Sequence, residues 1–255
     1  MAEQARALVT RPRDDAAGIS AALEARGIAA VLEPLLEIHF SPEGAALLAP
    51  LLLGSQALLF TSANGVRAFA ASSTRRDIAV FAVGDASATA SRAAGFTAVE
   101  SAGGDVAALA ALVARRLDPA KGALLHASAS DVAGDLAGDL TQRGFETRRL
   151  ALYDAESVKR LSETTRRMIA QGEIGFALFF SPRTAASFVR LAGEAGLVPC
   201  LARIGAVGLS APVVASLGGA ARGAAPWRWI ATAAAPNESS LLAALDRARD
   251  GKPEN

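Results

Sequence analysis

The sequence has few residues of the types that build metal and redox sites. Among its 255 residues there are one cysteine, Cys200, and two histidines, His39 and His126. A single cysteine excludes an internal disulfide and any Cys-x-x-Cys metal or redox site. The two histidines are far apart in the sequence and lack the spacing of metal ligands, so we expect both to be structural. We therefore expect a protein with no cofactor and no bound metal.

The sequence also lacks long apolar runs and an excess of charge. No stretch reaches the roughly 18 apolar residues that cross a bilayer, and the start, MAEQARALVTRP, has no apolar segment typical of a signal peptide. The formal net charge is +1, so no overall field attracts nucleic acid or an anionic membrane surface. We expect a soluble, cytoplasmic protein, monomeric, whose partner is a small molecule rather than a nucleic acid or a membrane.

Short apolar runs alternate with Ala- and Leu-rich stretches of helical periodicity almost from end to end. This alternation is typical of a parallel sheet covered on both faces by helices, which predicts the α/β class. Among the predicted helices are those over 131–143 and 158–171. The segment 28–40 reads as extended, and Pro34 predicts that it lies at a sheet edge or in a crossover.

Three pairs of segments repeat in the same order and at a nearly constant separation. Such colinear repetition favours a duplicated half over a chance likeness between strand–turn–helix units. We therefore predict two similar α/β domains. The paired segments are 58–70 (LLFTSANGVRAFA) with 177–189 (ALFFSPRTAASFV), 82–95 with 206–219, and 8–28 with 124–145.

The turns that follow the predicted strands are rich in serine, threonine and glycine. In open parallel sheets, ligands bind beyond the carboxyl ends of the strands, where helix N-termini present unpaired N–H groups. For any single hydroxyl a plain helix cap is the better interpretation, but the collective pattern favours a cleft that holds a ligand with several anionic groups. The candidate binding residues are Thr10, Arg11, Thr61, Ser62, Gly84, Ser87, Ser128, Ser181, Gly208 and Ser210.

Several signatures of common enzyme classes are missing from the sequence. There is no GxGxxG after a strand, no GxxxxGK[ST] and no GxSxG, which argues against a dinucleotide site, a P-loop and a serine hydrolase. Tyr153, the only tyrosine, ends the strand-like RRLALY. Its hydroxyl could donate to a developing anion from a cleft wall, or its ring could pack between domains. The residues alone leave these two interpretations open.

A set of strings in a fixed order resembles the uroporphyrinogen-III synthase family over nearly the whole chain. No single string is diagnostic, but the colinear set is specific. The strings are LVTRP (8–12), VLEPLLEI (31–38), LLFTSANGV (58–66), VFAVGDASA (80–88), LALYDAE (150–156), LFFSPRTA (178–185) and IGAVGLSA (204–211).

The resemblance implies a particular domain arrangement. Two similar parallel-sheet α/β domains are joined by a two-stranded connection, with a cleft between them. The first domain is discontinuous and comprises residues 1–33 and 158–255, and the second comprises 38–149. The segments 33–38 and 150–157 are the linker strands.

The resemblance also implies the reaction. The family's substrate is hydroxymethylbilane, a linear tetrapyrrole with eight carboxylates. A hydro-lyase without a cofactor closes it to uroporphyrinogen III in haem biosynthesis, with inversion of ring D and loss of water. Tyr153 matches the family tyrosine that assists departure of the hydroxyl group.

Other family positions are matched by polar residues of the predicted turns. Thr61 and Ser62 match the TS turn, Ser181 matches the SP turn and Arg11 is a candidate carboxylate partner. Ser87 and Ser210 stand where threonine is usual, and Ala63-Asn64 replaces a proline-containing turn. Asp154, beside Tyr153, has no physical explanation from the sequence, since its charge is the same as that of the substrate.

Two alternatives remain open from the residues. A two-domain glycosyltransferase would use a similar cleft, but its acidic or histidine base and its ribose-binding acid are not evident. A non-catalytic binding protein for an anionic metabolite would use the same anion-binding turns as an enzyme. In the periplasm such a protein would carry a signal peptide.

Overall fold

A computed structural model describes residues 5–132, 134–218 and 227–251. The chain folds into two compact units. Unit 1 comprises Met1–Glu37 and Ser157–Asn255, and unit 2 comprises Ile38–Glu156. The first unit is therefore discontinuous in sequence, because it takes the two ends of the chain.

Strands and helices alternate along the described residues. The strands are β1 (Arg6–Val9), β2 (Ala29–Leu32), β3 (Leu36–Phe40), β4 (Ser55–Phe60), β5 (Ala79–Ala82), β6 (Val99–Ser101), β7 (Ala123–Ala129), β8 (Thr147–Ser157), β9 (Phe176–Phe179), β10 (Gly205–Gly208) and β11 (Trp229–Thr232). The α-helices are α1 (Ala17–Glu24), α2 (Pro42–Leu52), α3 (Ala63–Ser72), α4 (Asp85–Ala93), α5 (Val106–Arg116), α6 (Leu136–Thr141), α7 (Glu163–Gln171), α8 (Pro182–Glu194), α9 (Ala211–Leu217) and α10 (Glu238–Arg249). Short 3-10 helices lie at Arg13–Asp15, Pro119–Lys121 and Val198–Arg203.

Each unit contains one sheet, and the two sheets share a strand order. Unit 1 has the order β11-β10-β9-β1-β2, and the sheet of unit 2 has the order β3-β8-β7-β4-β5-β6. Most neighbouring strands pair in parallel, as between β1 and β9 and between β4 and β7. The exception is β3, which runs antiparallel to β8, since the Val158 N–H donates to the Leu35 carbonyl and the Ser41 N–H donates to the Leu152 carbonyl. If the repeated sequence segments are superposed, β6-β5-β4-β7-β8 corresponds to β11-β10-β9-β1-β2. The predicted α/β class and the two similar parallel-sheet domains are confirmed.

The sheets are buried on both faces. In β1, Leu8 packs in one apolar cluster of unit 1, while Val9 packs in the other. In β4, Phe60 and Leu59 likewise belong to different clusters of unit 2. Such near-continuous apolar strands are typical of parallel sheets that lie between two layers of helices. None of the described helices is long and apolar enough to cross a membrane.

The chain passes between the units twice, within β3 and β8, which are neighbours in the sheet of unit 2. Pro34 lies in the connection between β2 and β3, outside both strands, where its missing N–H removes no hydrogen bond of a sheet. Next to it, the buried carboxylate of Glu33 accepts hydrogen bonds from the Ser162 backbone N–H and hydroxyl and from the Thr165 hydroxyl, each at 2.7 Å. The start of α7 is thereby fixed to the first linking segment inside unit 1.

Two predicted helices are shorter in the structure than in the sequence analysis. The helix predicted over 158–171 begins at Glu163, because Ser162 caps it by accepting from the Thr165 N–H at 3.2 Å. Among the described residues of 131–143, only Leu136–Thr141 is helical, since the Asp135 carboxylate caps α6. In both cases a polar side chain stops the helix from extending toward the preceding strand.

Candidate functional site

The turn after β4 brings two predicted site residues together. Ser62 caps α3 by accepting a hydrogen bond from the Gly65 N–H at 3.2 Å, and its Oγ also lies 2.7 Å from the Tyr153 hydroxyl. A Cβ on Gly65 would lie 2.7 Å from the Ala127 carbonyl oxygen. Only glycine therefore lets α3 begin this close to β7. The hydroxyls of Ser62 and Tyr153 form a pair at the carboxyl end of β4.

Tyr153 has both an apolar and a polar environment. The residue is 6 % exposed, and it belongs to the apolar cluster of unit 2 that also contains Leu150 and Leu152. Its hydroxyl reaches Ser62, so the ring is held by packing while the polar tip is held by a hydrogen bond. The next residue, Asp154, accepts a hydrogen bond from the Ser130 hydroxyl. This contact gives the Asp154 carboxylate a partner within unit 2, but it does not neutralise its charge.

Thr61 lies against a buried histidine. The Thr61 Oγ1 is 3.2 Å from Nε2 of His126, whose side chain is 2 % exposed. Burial, with a smaller contribution from the charge of Arg149, lowers the pKa of His126 from 6.5 to about 4. His126 is therefore neutral near pH 7, with one ring nitrogen as donor and the other as acceptor. His126 is expected from the sequence to be structural, and no sequence pattern indicates its contact with Thr61.

The other predicted positions of unit 2 differ in whether their polar groups already have hydrogen-bond partners. The buried Ser128 hydroxyl donates to the Ala129 carbonyl at 2.9 Å and accepts from Arg149 Nε at 3.1 Å. Gly84 stands at the N-cap of α4, and a Cβ built on it would meet no described atom within 4 Å. Ser87 is buried in the first turn of the same helix. Of these three positions, the open one is the start of α4 at Gly84.

In unit 1, Thr10 and Arg11 are both engaged within the protein. Thr10 is fully buried and donates its hydroxyl to the Leu178 carbonyl at 2.8 Å, which joins the ends of β1 and β9. Arg11 forms an ion pair with Glu238, in the first turn of α10. Its guanidinium carbon also lies 4.5 Å from the centre of the Phe180 ring. An incoming carboxylate would have to displace Glu238 to take Arg11.

The remaining unit 1 positions lie at the starts of two helices. Ser181 caps α8, accepting from the Thr184 N–H at 3.2 Å, and its Oγ is 3.0 Å from the Thr184 hydroxyl. Ser210 precedes α9 and makes no side-chain cap hydrogen bond to a described residue. A Cβ on Gly208 would lie 2.6 Å from Val214 Cγ2, so glycine is needed for α9 to pack there.

Sequence reasoning missed the residues that hold the predicted ones in place. Arg149 donates to three groups at the end of β7, and Glu238 and Phe180 hold Arg11. The sequence signal for Arg149 was its place directly before the apolar part of β8, Leu150–Leu152. Within the described ranges, no three His, Cys, Asp or Glu side chains are grouped so that they could hold a metal ion.

A protein-family model matches most of the chain. The family model described as uroporphyrinogen-III synthase HemD matches residues 17–243. The chain belongs to the uroporphyrinogen-III synthase family. The resemblance seen in the sequence is confirmed, and the family places the chain among the enzymes of haem biosynthesis. No curated protein matches the chain significantly.

Solved structures of uroporphyrinogen-III synthases share the fold. A mutant enzyme from the extremely thermophilic bacterium Thermus thermophilus matches with a TM-score of 0.55 at 17 % identity, covering 97 % of this chain and 100 % of its own. The enzyme from Helicobacter pylori matches with a TM-score of 0.62 at 14 % identity, covering 96 % of this chain and 99 % of its own. At such identities the matches establish the fold. They give no support to the glycosyltransferase or binding-protein alternatives.

Proposed function

We propose that this chain closes hydroxymethylbilane to uroporphyrinogen III with inversion of ring D and loss of water, acting as a cofactor-free hydro-lyase. The observation that carries the proposal is the uroporphyrinogen-III synthase family match over residues 17–243. The hydroxyl pair of Tyr153 and Ser62 supports it, because it supplies a proton donor that is neither a metal nor a charged side chain.

In this proposal, the first step is departure of the substrate's terminal hydroxyl group. The Tyr153 hydroxyl donates a hydrogen bond to the departing oxygen, and Ser62 holds the phenol in place. The oxygen gains a proton and leaves as water, and this proton is balanced by loss of the N–H proton of the same pyrrole ring.

The remaining azafulvene is electrophilic and is attacked by ring D through its substituted carbon. In the resulting spirocyclic intermediate, the bond between this carbon and the bridge to ring C breaks. The freed bridge carbon bonds to the unsubstituted α-carbon of ring D, which loses its proton, so ring D is inverted. The pyrroles supply the electrons, so the protein contributes orientation and stabilisation of charge.

The substrate's carboxylates would be held by groups at the strand ends of both units. Backbone N–H groups at helix starts suit carboxylates, because they are unpaired and lie at the positive end of the helix. The proposed direct contacts are Arg11, Thr61, Ser62, Gly84, Ser181 and Ser210. Arg11 would exchange Glu238 for a substrate carboxylate, and at Ser62 the contact is made by backbone N–H groups, because the hydroxyl is engaged with Tyr153. Thr10 and Ser128 already donate their hydroxyls to carbonyl groups. We assign to these two, together with Ser87 and Gly208, the role of fixing the strand ends and helix starts.

The product isomer tests the proposal. Spontaneous closure of hydroxymethylbilane gives the type I isomer, in which ring D is not inverted. The protein would be incubated with freshly generated hydroxymethylbilane, and the porphyrin isomers would be resolved after oxidation. We expect the type III isomer to predominate. Type I alone, formed at the uncatalysed rate, would overturn the proposal.

We further propose that the protein acts in the cytoplasm as a monomer. Net charge of +1 gives no reason for association with nucleic acid or anionic membrane. Light scattering at the protein concentrations of the assay should give the mass of one chain, 25.9 kDa. A mass of twice that value would contradict the monomer.

A further inference from the structure

The ladder between β7 and β8 has an irregularity next to Tyr153. Ser128 pairs with Ala151, but the next residue of β7, Ala129, pairs with Tyr153. Leu152 is therefore an extra residue on β8, which is the arrangement of a β-bulge. Bulges change the direction of the side chains that follow them.

The bulge explains why Tyr153 is on the same face as Leu152. In a regular strand successive side chains point to opposite faces, so Tyr153 would lie opposite Leu150 and Leu152. In the structure all three side chains belong to one apolar cluster. In an unbroken register Ala129 would pair with Leu152, and the Tyr153 side chain would point to the other face of the sheet, away from this cluster. Its contact with Ser62 therefore depends on the bulge.

Arg149 binds the β7 side of this irregularity. Its Nε donates to the Ser128 hydroxyl at 3.1 Å, and its Nη2 donates to the Ala129 carbonyl at 2.9 Å and to the Ser130 carbonyl. Ser128 and Ala129 are the two residues between which the register shifts. One planar guanidinium thus holds three successive residues in a fixed geometry, which a flexible ammonium group would not do as well.

The main chain continues the connection to Tyr153. The Ser130 N–H donates to the Tyr153 carbonyl oxygen at 2.9 Å. A displacement of Ser130 would therefore be transmitted to the backbone of Tyr153. The connection from Arg149 through Ser130 to Tyr153 has no sequence motif. Arg149 lies four residues before Tyr153 in β8, and it pairs with His126 of β7 across the ladder.

We propose that Arg149 is a positioning residue, which holds the β7–β8 bulge in the register that directs the Tyr153 hydroxyl to Ser62. The effect of Arg149 on kinetics rests on the proposed function. Its effect on the position of the Tyr153 hydroxyl does not. Arg149 acts through Tyr153 and is not assigned a contact with the substrate.

The structural consequence can be measured without substrate. Because Tyr153 is the only tyrosine in the chain, 3-fluorotyrosine labelling gives one protein ¹⁹F resonance. We expect Arg149→Met to move this resonance in the same direction as Ser62→Ala, since both changes remove the tyrosine hydroxyl from its partner. Arg148→Met is the matched control. Arg148 also binds carbonyl groups, those of Leu51 and Leu53, and should leave the resonance in place.

The kinetic consequence is a loss that depends on Tyr153. We expect Arg149→Met to lower kcat about tenfold, through misplacement of the hydroxyl, with KM changed less than twofold. In a Tyr153→Phe background the same substitution should lower kcat less than twofold, because there is no hydroxyl left to position. Arg148→Met should change neither constant by more than twofold.

The outcomes separate this inference from the proposed function. If the wild-type protein forms no type III isomer, the proposed function fails, while the ¹⁹F comparison still tests the role of Arg149. An unchanged resonance in Arg149→Met overturns the inference, whatever the activity. A fall in kcat of equal size in the wild-type and Tyr153→Phe backgrounds also overturns it, because Arg149 would then act by another route.

Discussion

Ser62 in unit 2 and Ser181 in unit 1 occupy equivalent places in the repeat, yet only one of them contacts a tyrosine. Both follow a central strand, and both cap the next helix with the same hydrogen bond of 3.2 Å. The Ser62 hydroxyl has the Tyr153 hydroxyl as its second partner, whereas the Ser181 hydroxyl has Thr184 of its own helix. The repeat preserves the cap, and unit 2 adds a connection to a proton donor. Chemistry is therefore expected from unit 2 and binding from both units.

The strands beside these turns differ in a similar way. Thr10 and His126 occupy equivalent positions in the repeat, at the end of β1 and within β7. Thr10 donates to a backbone carbonyl of the neighbouring strand, but His126 contacts the side chain of Thr61. Unit 1 thus has a neutral hydroxyl where unit 2 has a titratable group.

The largest expected difference between the units is in the response to acid. His126 has a folded-state pKa of about 4, below its ordinary value of 6.5, so the unfolded chain takes up a proton first as the pH falls. The free energy of unfolding should therefore decrease between about pH 6.5 and pH 4, by about 3 kcal/mol in total from this residue. His126→Thr, which places the unit 1 residue in unit 2, should remove this part of the pH dependence. Urea unfolding of both proteins at a series of pH values gives the free energy of unfolding as a function of pH. The same pH dependence in the wild type and in His126→Thr would contradict the prediction.

A second prediction concerns what both serines share. Leucine at both Ser62 and Ser181 should block carboxylates from the backbone N–H groups of α3 and α8, and we expect kcat/KM to fall about thirtyfold, as for the loss of about 2 kcal/mol of charge-assisted hydrogen bonding. Ser41→Leu is the control, because Ser41 caps α2 in the same way but is not among the proposed binding residues. Wild-type kinetics in the double variant would refute the binding role of the two turns.

The third prediction concerns what the serines do not share. Ser62→Ala should lower kcat about fivefold, because Tyr153 loses the partner that fixes its hydroxyl, and Ser181→Ala should leave kcat unchanged within twofold. Each should cost about 1 kcal/mol of stability through loss of the cap. Steady-state kinetics combined with denaturant unfolding separates these effects. Equal changes in kcat for the two variants would remove the proposed division between the units.

The sequence was sufficient to predict the layers of the fold and the places of the polar turns. Apolar runs alternating with helical periodicity indicated the parallel sheets, and the repeated segments indicated two similar domains. Helix starts were less predictable, because capping by Ser162 and Asp135 decides them and serine or aspartate occurs at many other positions. Local propensity identifies possible caps, but the preceding strand selects the one that is used.

The pairing of side chains could not be predicted from the sequence. Ser62 and Tyr153 are 91 residues apart, and their contact depends on a bulge that no local pattern announces. The ion pair of Arg11 with Glu238 joins residues that are 227 positions apart. Such contacts follow from strand order and register, which are tertiary properties, so the sequence predicted the polar residues but not their partners.

The central claim is that the way the substrate is held decides which isomer forms, while Tyr153 only assists departure of the hydroxyl group. The most direct test is Tyr153→Phe at an enzyme concentration above that of hydroxymethylbilane, with the isomers resolved after oxidation. The account predicts closure about tenfold slower than in the wild type, with type III still the main product and the protein fully folded. Type I as the main enzyme-bound product, or an unchanged rate, would contradict it.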